Sequence, residues 1–461
     1  MEIDPQEGAV RVPGLSGRSA RSLKVNLALV RAFRRSPTDF LDVLVASGAG
    51  TTPLRMGPER VLLVDDAAQA WELLTTHARR TGKGRGLVRA RLLLGEGLLT
   101  SEGDQHLRHR RALQPAFHPQ RIADYLAHFT RAARYAADRW SDGGDIDLLA
   151  EMSAMTLDGA GAALFGSDLR EPAPQITRAL TNLLAGFRLA MAPGGPALLR
   201  SPLSVATRVR SAQAELENVV DDLIRGRWAG ESAPRPVLDL LASQPELTHR
   251  QVRDEVMTLL LAGHETTAMA LTWTLAALEQ EPAVRADLEA EWDAQPEELP
   301  GGGLPEALPL TMAVIAEALR LWPPSWMFSR RVLEPFVLGG RTVQVGTMCL
   351  VSPALLHRDP RWWAEPELFR PDRWLRCVPG KADRFDPKSP GQSRGAYLPF
   401  GAGPRMCIGE QFAWSEAATM LAELGRTWRL HVHNAPLAAG RSSMTLRPNG
   451  LVRATTSRRK S

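Results

Sequence analysis

The residue best placed to do chemistry is Cys407. It follows a glycine-rich segment, 400–405, and stands just before a helical pattern that begins near Gly409. Glycines let a backbone turn tightly and approach a flat ligand closely, and N–H groups at a helix start stabilise a thiolate. Arg405 is placed to pair with a carboxylate. Taken alone, these features leave two interpretations open: a functional thiolate, and the small buried hydrophobe that a lone cysteine usually is.

A second candidate site interrupts a helix. Thr248 and Gln251 form a capping box that predicts the start of a helix, and the residues after it are apolar on nearly every side. Near the middle stand Gly263, which weakens a helix by about 1 kcal/mol relative to alanine, and Glu265, whose burial is costly unless it is paired. A mid-helix glycine and a buried carboxylate are both unfavourable, so their occurrence within one turn indicates a functional site.

The same segment permits two other interpretations. His264 and Glu265 could begin the zinc motif H-E-x-x-H, but position 268 is alanine, so that motif is incomplete. Thr266 could instead bond back to the carbonyl of Ala262, as buried threonines in helices do. Taken alone, the residues leave this second interpretation open.

Both segments resemble signatures of the cytochromes P450. Residues 400–409 match the family's haem-binding loop, F-x-x-G-x-R-x-C-x-G, at every fixed position, and residues 262–267 are similar to its A-G-x-[ED]-T-T motif. The resemblance implies heme b, with the sulfur of Cys407 as the axial ligand of the iron and Arg405 bound to a propionate. It also implies that Phe400 packs near the sulfur.

The resemblance also assigns roles along the interrupted helix. Thr266 would take part in oxygen activation and Glu265 in proton delivery, while the helix opens at Ala262 and Gly263 to leave room for O2 and water. The residues that it places around a substrate are Leu259, Trp326, Met327 and Phe328.

Basic residues elsewhere are similar to the family's propionate contacts. Residues 103–111 resemble a helix that normally carries W-x-x-x-R, with His106 where tryptophan is common and Arg110 in the arginine position. Arg330 is a further propionate candidate, and Arg331 is its rival. Arginine suits this task because it can offer paired N–H donors to a carboxylate.

Glu317 and Arg320 are expected to be structural. They stand at i and i+3 on a predicted helix, where an exposed pair would contribute only about 0.3–0.5 kcal/mol. Their neighbours are apolar, however, and the pair looks like the family's E-x-x-R, with Arg373 as the third partner. The implied role of the three is to fix the loop that carries Cys407.

Composition excludes several other classes of protein. The net charge of the 461-residue chain is only +5, too small to indicate nucleic-acid binding, and no apolar run approaches the length of a membrane anchor. Its three cysteines contain no C-x-x-C pair, which argues against a disulfide framework or a structural zinc site and favours a reducing cytoplasm. Cys349 and Cys377 are expected to be structural.

The pattern predicts a single, mainly α domain with small β-sheets at 51–455, after a basic lead-in at 1–50. The resemblance implies the cytochrome P450 fold, a triangular helical prism that encloses haem. Helices are predicted at 67–74, 310–321 and 409–424, and strands at 54–56, 61–64, 336–338 and 347–351.

The implied activity is a monooxygenase that inserts one atom of O2 into an apolar small molecule, terpenoid or polyketide-like, in secondary metabolism. Electrons would come from a ferredoxin and its reductase, which would dock beside Arg108, His109 and Arg111. A fatty-acid hydroxylase and a C–C or C–O coupling oxidase on the same fold stay open. The Glu265–Thr266 pair speaks against a peroxygenase, and a haem sensor is disfavoured because no output module is visible.

Overall fold

The computed structural model describes residues 51–56, 59–191, 194–230, 234–296, 299, 303–376, 383–387, 392–435 and 444–459. The predicted lead-in at 1–50 and Cys377 lie outside these residues, so what was expected of them stays a prediction. The limits of the predicted domain likewise stay a prediction.

Helices dominate the described residues. In chain order they are α1 (Ala67–Leu74), α2 (Arg85–Leu94), α3 (Gly103–Leu113), α4 (Pro119–Asp138), α5 (Leu148–Phe165), α6 (Ala173–Met191), α7 (Gly195–Arg200), α8 (Ser204–Arg225), α9 (Pro236–Ala242), α10 (His249–Gln280), α11 (Pro282–Asp293), α12 (Leu304–Ala307), α13 (Pro309–Leu321), α14 (Pro353–Leu356) and α15 (Glu410–Thr427).

The strands form small sheets. They are β1 (Thr51–Met56), β2 (Glu59–Val64), β3 (Thr81–Lys83), β4 (Asp145–Asp147), β5 (Phe328–Val332), β6 (Phe336–Leu338), β7 (Arg341–Val343), β8 (Met348–Val351), β9 (Leu375–Arg376), β10 (Arg384–Phe385), β11 (Trp428–Val432) and β12 (Arg453–Arg458). The largest has the order β1-β2-β8-β5-β3, in which only β2 and β8 are parallel. A second sheet, β11-β12-β4, joins the start of α5 to the end of the chain.

The central element is α10, which is 32 residues long. Its predicted capping box is present, because the Thr248 side chain accepts from the Gln251 amide and the Gln251 side chain accepts from the Thr248 amide. Helices α5, α8, α13 and α15 all pack against it. Enclosure on several sides explains why its sequence is apolar around nearly the whole circumference.

The predicted fold class is confirmed: the described residues are mainly helical with small sheets. The hairpin at the start pairs β1 with β2, and α1 has the predicted bounds. The predicted helices near 310 and 409 are α13 and α15. None of the described helices combines the length and apolar character needed to cross a membrane.

Candidate active site and cofactor-binding site

Cys407 lies on a tight loop just before α15. The backbone amide of Cys407 donates to the carbonyl of Phe400 at 2.9 Å, which closes the loop under the cysteine. Gly403 has a φ of 72°, and a Cβ on it would collide with the carbonyl oxygen of Leu74. Since only glycine adopts this conformation without strain, the glycines predicted to shape the loop are required by the backbone here.

Cys407 is exposed to solvent, although many protein atoms lie close to its sulfur. Burial raises the pKa of this thiol to about 11, while the Gly409 amide and the nearby Arg110 oppose the rise. The predicted N–H contact at the helix start is therefore present, but it does not by itself hold the thiolate. A metal cation on the accessible side is the usual way to deprotonate such a thiol.

Phe400 is half-buried, and its ring lies 5.7 Å from that of Trp414 on α15. Arg110, on α3, donates from Nη1 to the carbonyl of Met406 at 2.7 Å, directly beside Cys407. The predicted propionate arginine thus also ties α3 to the cysteine loop, a contact that the sequence did not predict.

A group of basic residues, the basic cluster (Lys83, His106, Arg330 and Arg405), lies between β3, α3, β5 and the cysteine loop. Pairing of β3 with β5 sets Lys83 opposite Arg330. Arg405 donates to the carbonyl of Thr81 at 2.8 Å and to Glu102 at 2.9 Å. Glu102 is the carboxylate that the structure places in hydrogen-bonding contact with the cluster.

Burial and the repulsion between neighbouring cations lower the pKa of several members of the basic cluster. Burial first, and then the neighbouring cations, lower the pKa of Lys83 to about 7, of Arg330 to about 10 and of His106 to about 4. Arg330 is buried whereas its rival Arg331 is exposed. An excess of buried positive charge is costly, so this part of the molecule is suited to an anionic group.

Helix α10 continues without interruption through 262–267, and part of this turn is accessible. Ala262 is exposed, and Gly263 and Thr266 are half-exposed, although most of the helix around them is buried. The Thr266 hydroxyl donates to the carbonyl of Ala262 at 2.8 Å. The back-bonded geometry that the sequence left open is therefore present. It leaves the hydroxyl oxygen free to accept a second hydrogen bond.

Glu265 is buried, and its carboxylate contacts two residues that do not belong to α10. The hydroxyl of Thr445 donates to its Oε1 at 2.7 Å, and Nε of Arg447 lies 3.4 Å from the same oxygen. The costly burial noted in the sequence is thus compensated by two residues near the end of the chain. They were missed because nothing in their local sequence marks them as partners of a helix about 180 positions earlier.

A narrow apolar crevice lies between α2 and α6, and as it stands it leaves no room for a water molecule. Its lining residues are Ala90, Leu93, Leu94, Leu183, Leu184, Phe187 and Met444. Arg89, on α2, donates to the carbonyl of Ala190 near the end of α6, so it bridges the two helices. Of the pocket residues implied by the resemblance, Leu259 and Trp326 are buried, and Met327 and Phe328 are half-buried.

The predicted structural residues Glu317, Arg320 and Arg373 are brought together. Glu317 Oε1 accepts from Nη2 of Arg320 at 2.8 Å and from Nε of Arg373 at 3.0 Å, and its Oε2 accepts from Nε1 of Trp374 at 2.9 Å. Glu317 and Arg320 are fully buried, unlike an ordinary i,i+3 surface pair. Arg320 also donates to carbonyls of His357, Pro366 and Leu368.

One expectation about the surface is wrong. His109 was expected on an exposed docking face with Arg108 and Arg111, but it is fully buried and pairs with the equally buried Glu255 of α10. Helical periodicity explains the error, because neighbours on α3 point to different sides. Arg108 and Arg111 are exposed as expected.

Comparison with known proteins decides the family. The family model "Cytochrome P450" matches residues 25–451. The chain belongs to the cytochrome P450 family. Among its relatives is the cyclooctatin synthase of Streptomyces melanosporofaciens, 37% identical over 86% of each chain. The cyclooctat-9-en-7-ol 5-monooxygenase of the same organism is 35% identical over 91% of this chain and 90% of the relative.

A solved cytochrome P450 from Thermus thermophilus, CYP175A1, has a TM-score of 0.73 and 29% identity, covering 96% of this chain and 99% of that one. The protein described here is a P450 monooxygenase, and its family and fold imply haem with thiolate-ligated iron. The residues present fit that group: an accessible cysteine stands at the loop, and the basic cluster has more positive charge than Glu102 compensates. The two propionates of haem would supply the missing negative charge.

Proposed function

We propose that this P450 uses heme b, with Cys407 as the axial ligand, to insert one atom of O2 into a cyclic terpenoid. The observation that carries the proposal is the position of Cys407 next to the basic cluster. Arg405, two residues before Cys407, belongs to that cluster, and Arg110 donates to the carbonyl of Met406 directly beside Cys407. A thiolate on one side and cations beside it match the iron and the carboxylates of one flat cofactor. Bound haem supplies O2 activation, because the thiolate donates electron density to the iron and favours O–O cleavage.

The protein residues then perform separate tasks. His106, Arg110, Arg330 and Arg405 hold the propionates. Ala262 and Gly263 leave space along α10. The Thr266 hydroxyl, which donates to the Ala262 carbonyl, accepts one further hydrogen bond at the reacting side, and Glu265 exchanges protons with it through water.

The proposed substrate class is supported by the relatives and by the apolar side chains that face one another between α2 and α6. Cyclooctatin and cyclooctat-9-en-7-ol, which name the two relatives, are terpenoids. None of the seven residues that line this crevice is charged, and Arg89 is engaged with the Ala190 carbonyl. Apolar rings suit such a lining because their burial is favourable without a charged anchor.

The electron donor that we propose is an acidic ferredoxin, supplied by its reductase. The exposed face carries Arg108 and Arg111 on α3, and a surface cleft of about 670 Å³ beside them is lined by Arg111, His118 and Arg121, with Asp124 as its acidic member. This basic face is part of α3, the same helix that contacts the cysteine loop through Arg110. Charges of this kind steer an oppositely charged partner.

Substrate-induced spectra test the proposed substrate class. Cyclooctat-9-en-7-ol should produce a high-spin shift of the haem spectrum with micromolar affinity, a fatty acid of similar carbon number should bind roughly tenfold more weakly, and a charged amino acid should not bind. The reason is that the apolar lining offers no partner for a carboxylate. Tight binding of the fatty acid alone would replace the terpenoid proposal with the fatty-acid hydroxylase.

Thr266→Ala tests the assigned role on α10. Product formed per electron pair should fall about tenfold or more, and hydrogen peroxide should rise to match, while the substrate-induced spin shift stays intact. The matched control is Thr272→Ala, because Thr272 makes the same bond to the carbonyl four residues earlier but is fully buried. Equal coupling in the two variants would remove Thr266 from proton delivery.

A further inference from the structure

Glu255 on α10 and His109 on α3 form a fully buried carboxylate–imidazole pair, in which Nδ1 of His109 contacts Oε1 of Glu255. The second oxygen, Oε2, accepts from the backbone amide of Leu98 at 3.0 Å. A carboxylate is costly to bury unless it is paired and hydrogen-bonded, so these two contacts stabilise Glu255 in the interior. They also join α10, α3 and the segment between α2 and α3 at one carboxylate.

Leu98 belongs to the loop that connects α2 to α3, which we call the anchor loop (residues 95–101). The Thr100 hydroxyl donates to the Gly95 carbonyl at 2.6 Å and so closes the loop on itself. Arg91, in the last turn of α2, donates to the Thr100 carbonyl at 3.0 Å. Because the anchor loop is joined to α2 by this bond as well as by the chain, a shift of the loop carries the end of α2 with it.

The anchor loop is attached to α10 at a second point. Asp254, next to Glu255, accepts from the Glu96 amide at 2.8 Å. Gly97 lies between the two attached amides, and a Cβ on it would stand 2.2 Å from the Thr258 hydroxyl of α10. A side chain at this position would push the loop away from the helix, so the close approach requires glycine.

This attachment bears on the apolar crevice between α2 and α6. Leu93 and Leu94, at the anchored end of α2, line the crevice together with Leu183, Leu184 and Phe187 of α6. Since the crevice leaves no room even for water as it stands, a terpenoid fits only when the two helices separate. The attachment of α2 to α10 therefore limits how the crevice can widen.

We propose that Glu255 is a positioning residue for the substrate: its carboxylate, held by His109, fastens the anchor loop to α10 and keeps α2 where the terpenoid can bind. This inference rests on the proposed function, because it takes the crevice as part of the substrate pocket. An unfastened loop would let α2 adopt several positions, and the apparent dissociation constant rises as the binding-competent fraction falls. Thr266 and Glu265 keep their own contacts, so turnover at saturating substrate should be retained.

Glu255→Gln tests the proposal, because the amide keeps the shape of the side chain but has one acceptor oxygen where the carboxylate offers one to each donor. In the haem-loaded protein without substrate, hydrogen exchange of the anchor-loop amides should become at least about tenfold faster, since the bond to Leu98 no longer opposes local opening. The dissociation constant of cyclooctat-9-en-7-ol, measured by spin-shift titration, should rise about tenfold, while turnover at saturation stays within about twofold of the wild type.

The matched control is Glu279→Gln. Glu279 also lies on α10 and accepts from a backbone amide, that of Val432 at 3.2 Å, and from Arg285 at 2.9 Å, but both partners lie outside the anchor loop. This variant should change neither the exchange of the anchor-loop amides nor the dissociation constant. A similar change in both variants would overturn the proposal, because any lost carboxylate on α10 would then have the same effect.

Variants of His109 test whether the imidazole holds the carboxylate. His109→Asn keeps an N–H donor near the position of Nδ1 and should bind the substrate as the wild type does, whereas His109→Leu has no donor and should resemble Glu255→Gln. Gly97→Ala displaces the loop from Thr258 without changing a buried charge. It replaces Glu255→Gln if that variant does not fold, and the same results are expected of it.

The two measurements separate the possible failures. Unchanged exchange in Glu255→Gln would overturn the proposal, because Glu255 would then not fasten the loop. Faster exchange with an unchanged dissociation constant would overturn it too, because the loop would then not set the pocket. A wild type without a spin shift in the presence of the terpenoid would instead overturn the proposed substrate class, while the exchange result still decides whether Glu255 fastens the loop.

Discussion

Glu317→Gln will lower the free energy of unfolding by about 3–5 kcal/mol. The substitution keeps the shape of the side chain but leaves Arg320, which is fully buried, and Arg373, which is nearly so, without their carboxylate. The same carboxylate accepts from the backbone amide of Arg370 and from the indole of Trp374. We expect a lower denaturant midpoint and a large loss of haem-loaded protein on purification.

The matched control is an exposed pair with the same spacing. Arg121 and Asp124 are also at i and i+3, but 62% and 67% of their side-chain surfaces are exposed and their charged atoms lie 3.7 Å apart. Asp124→Asn should leave the denaturant midpoint nearly unchanged. A Glu317→Gln variant as stable as Asp124→Asn would show that the buried cluster does not hold the fold.

Cys407→Ser will abolish oxygenation of the terpenoid. A serine hydroxyl does not provide the thiolate on which the proposed chemistry depends, so turnover should fall by at least about 10³-fold, to the background of free haem. The measurement is product formed per haem with an excess of reduced ferredoxin. Haem content should be determined in the same samples, since the variant will also bind the cofactor more weakly.

The control for this variant is Cys349→Ala. Cys349 lies in β8, is fully buried, and burial raises the pKa of its thiol to about 12, so it is inert at neutral pH. Cys349→Ala should keep turnover per haem at the wild-type level even if its stability is lower. Turnover that survives in Cys407→Ser and is lost in Cys349→Ala would reverse the assignment of the two cysteines.

Local signals in the sequence were sufficient to predict the features that depend on residues close together in the chain. The capping box at Thr248 starts α10, the glycines before Cys407 shape its loop, and the i,i+3 spacing of Glu317 and Arg320 brings them together. Each of these depends on residues that are close in the chain. The resemblance to the P450 motifs then assigned the chemistry, which the local patterns alone did not.

Long-range partners could not be predicted in this way. Lys83, Glu102 and Thr445 carry no motif, and they reach the site only because the strand pairing and the chain end bring them there. Strands β4 and β12 were missed for the same reason, since their pairing joins segments that lie far apart in the chain. His109 was misplaced because its burial depends on Glu255, which lies on another helix.

The central claim is that Cys407 ligates haem iron as a thiolate, and the dithionite-reduced carbon monoxide complex of the purified wild type tests it most directly. We predict the strongly red-shifted Soret band that marks a thiolate opposite carbon monoxide, and its absence from Cys407→Ser. A wild-type spectrum with the unshifted band of a histidine-ligated or neutral-thiol haem, or an identical red-shifted band in Cys407→Ser, would contradict the claim.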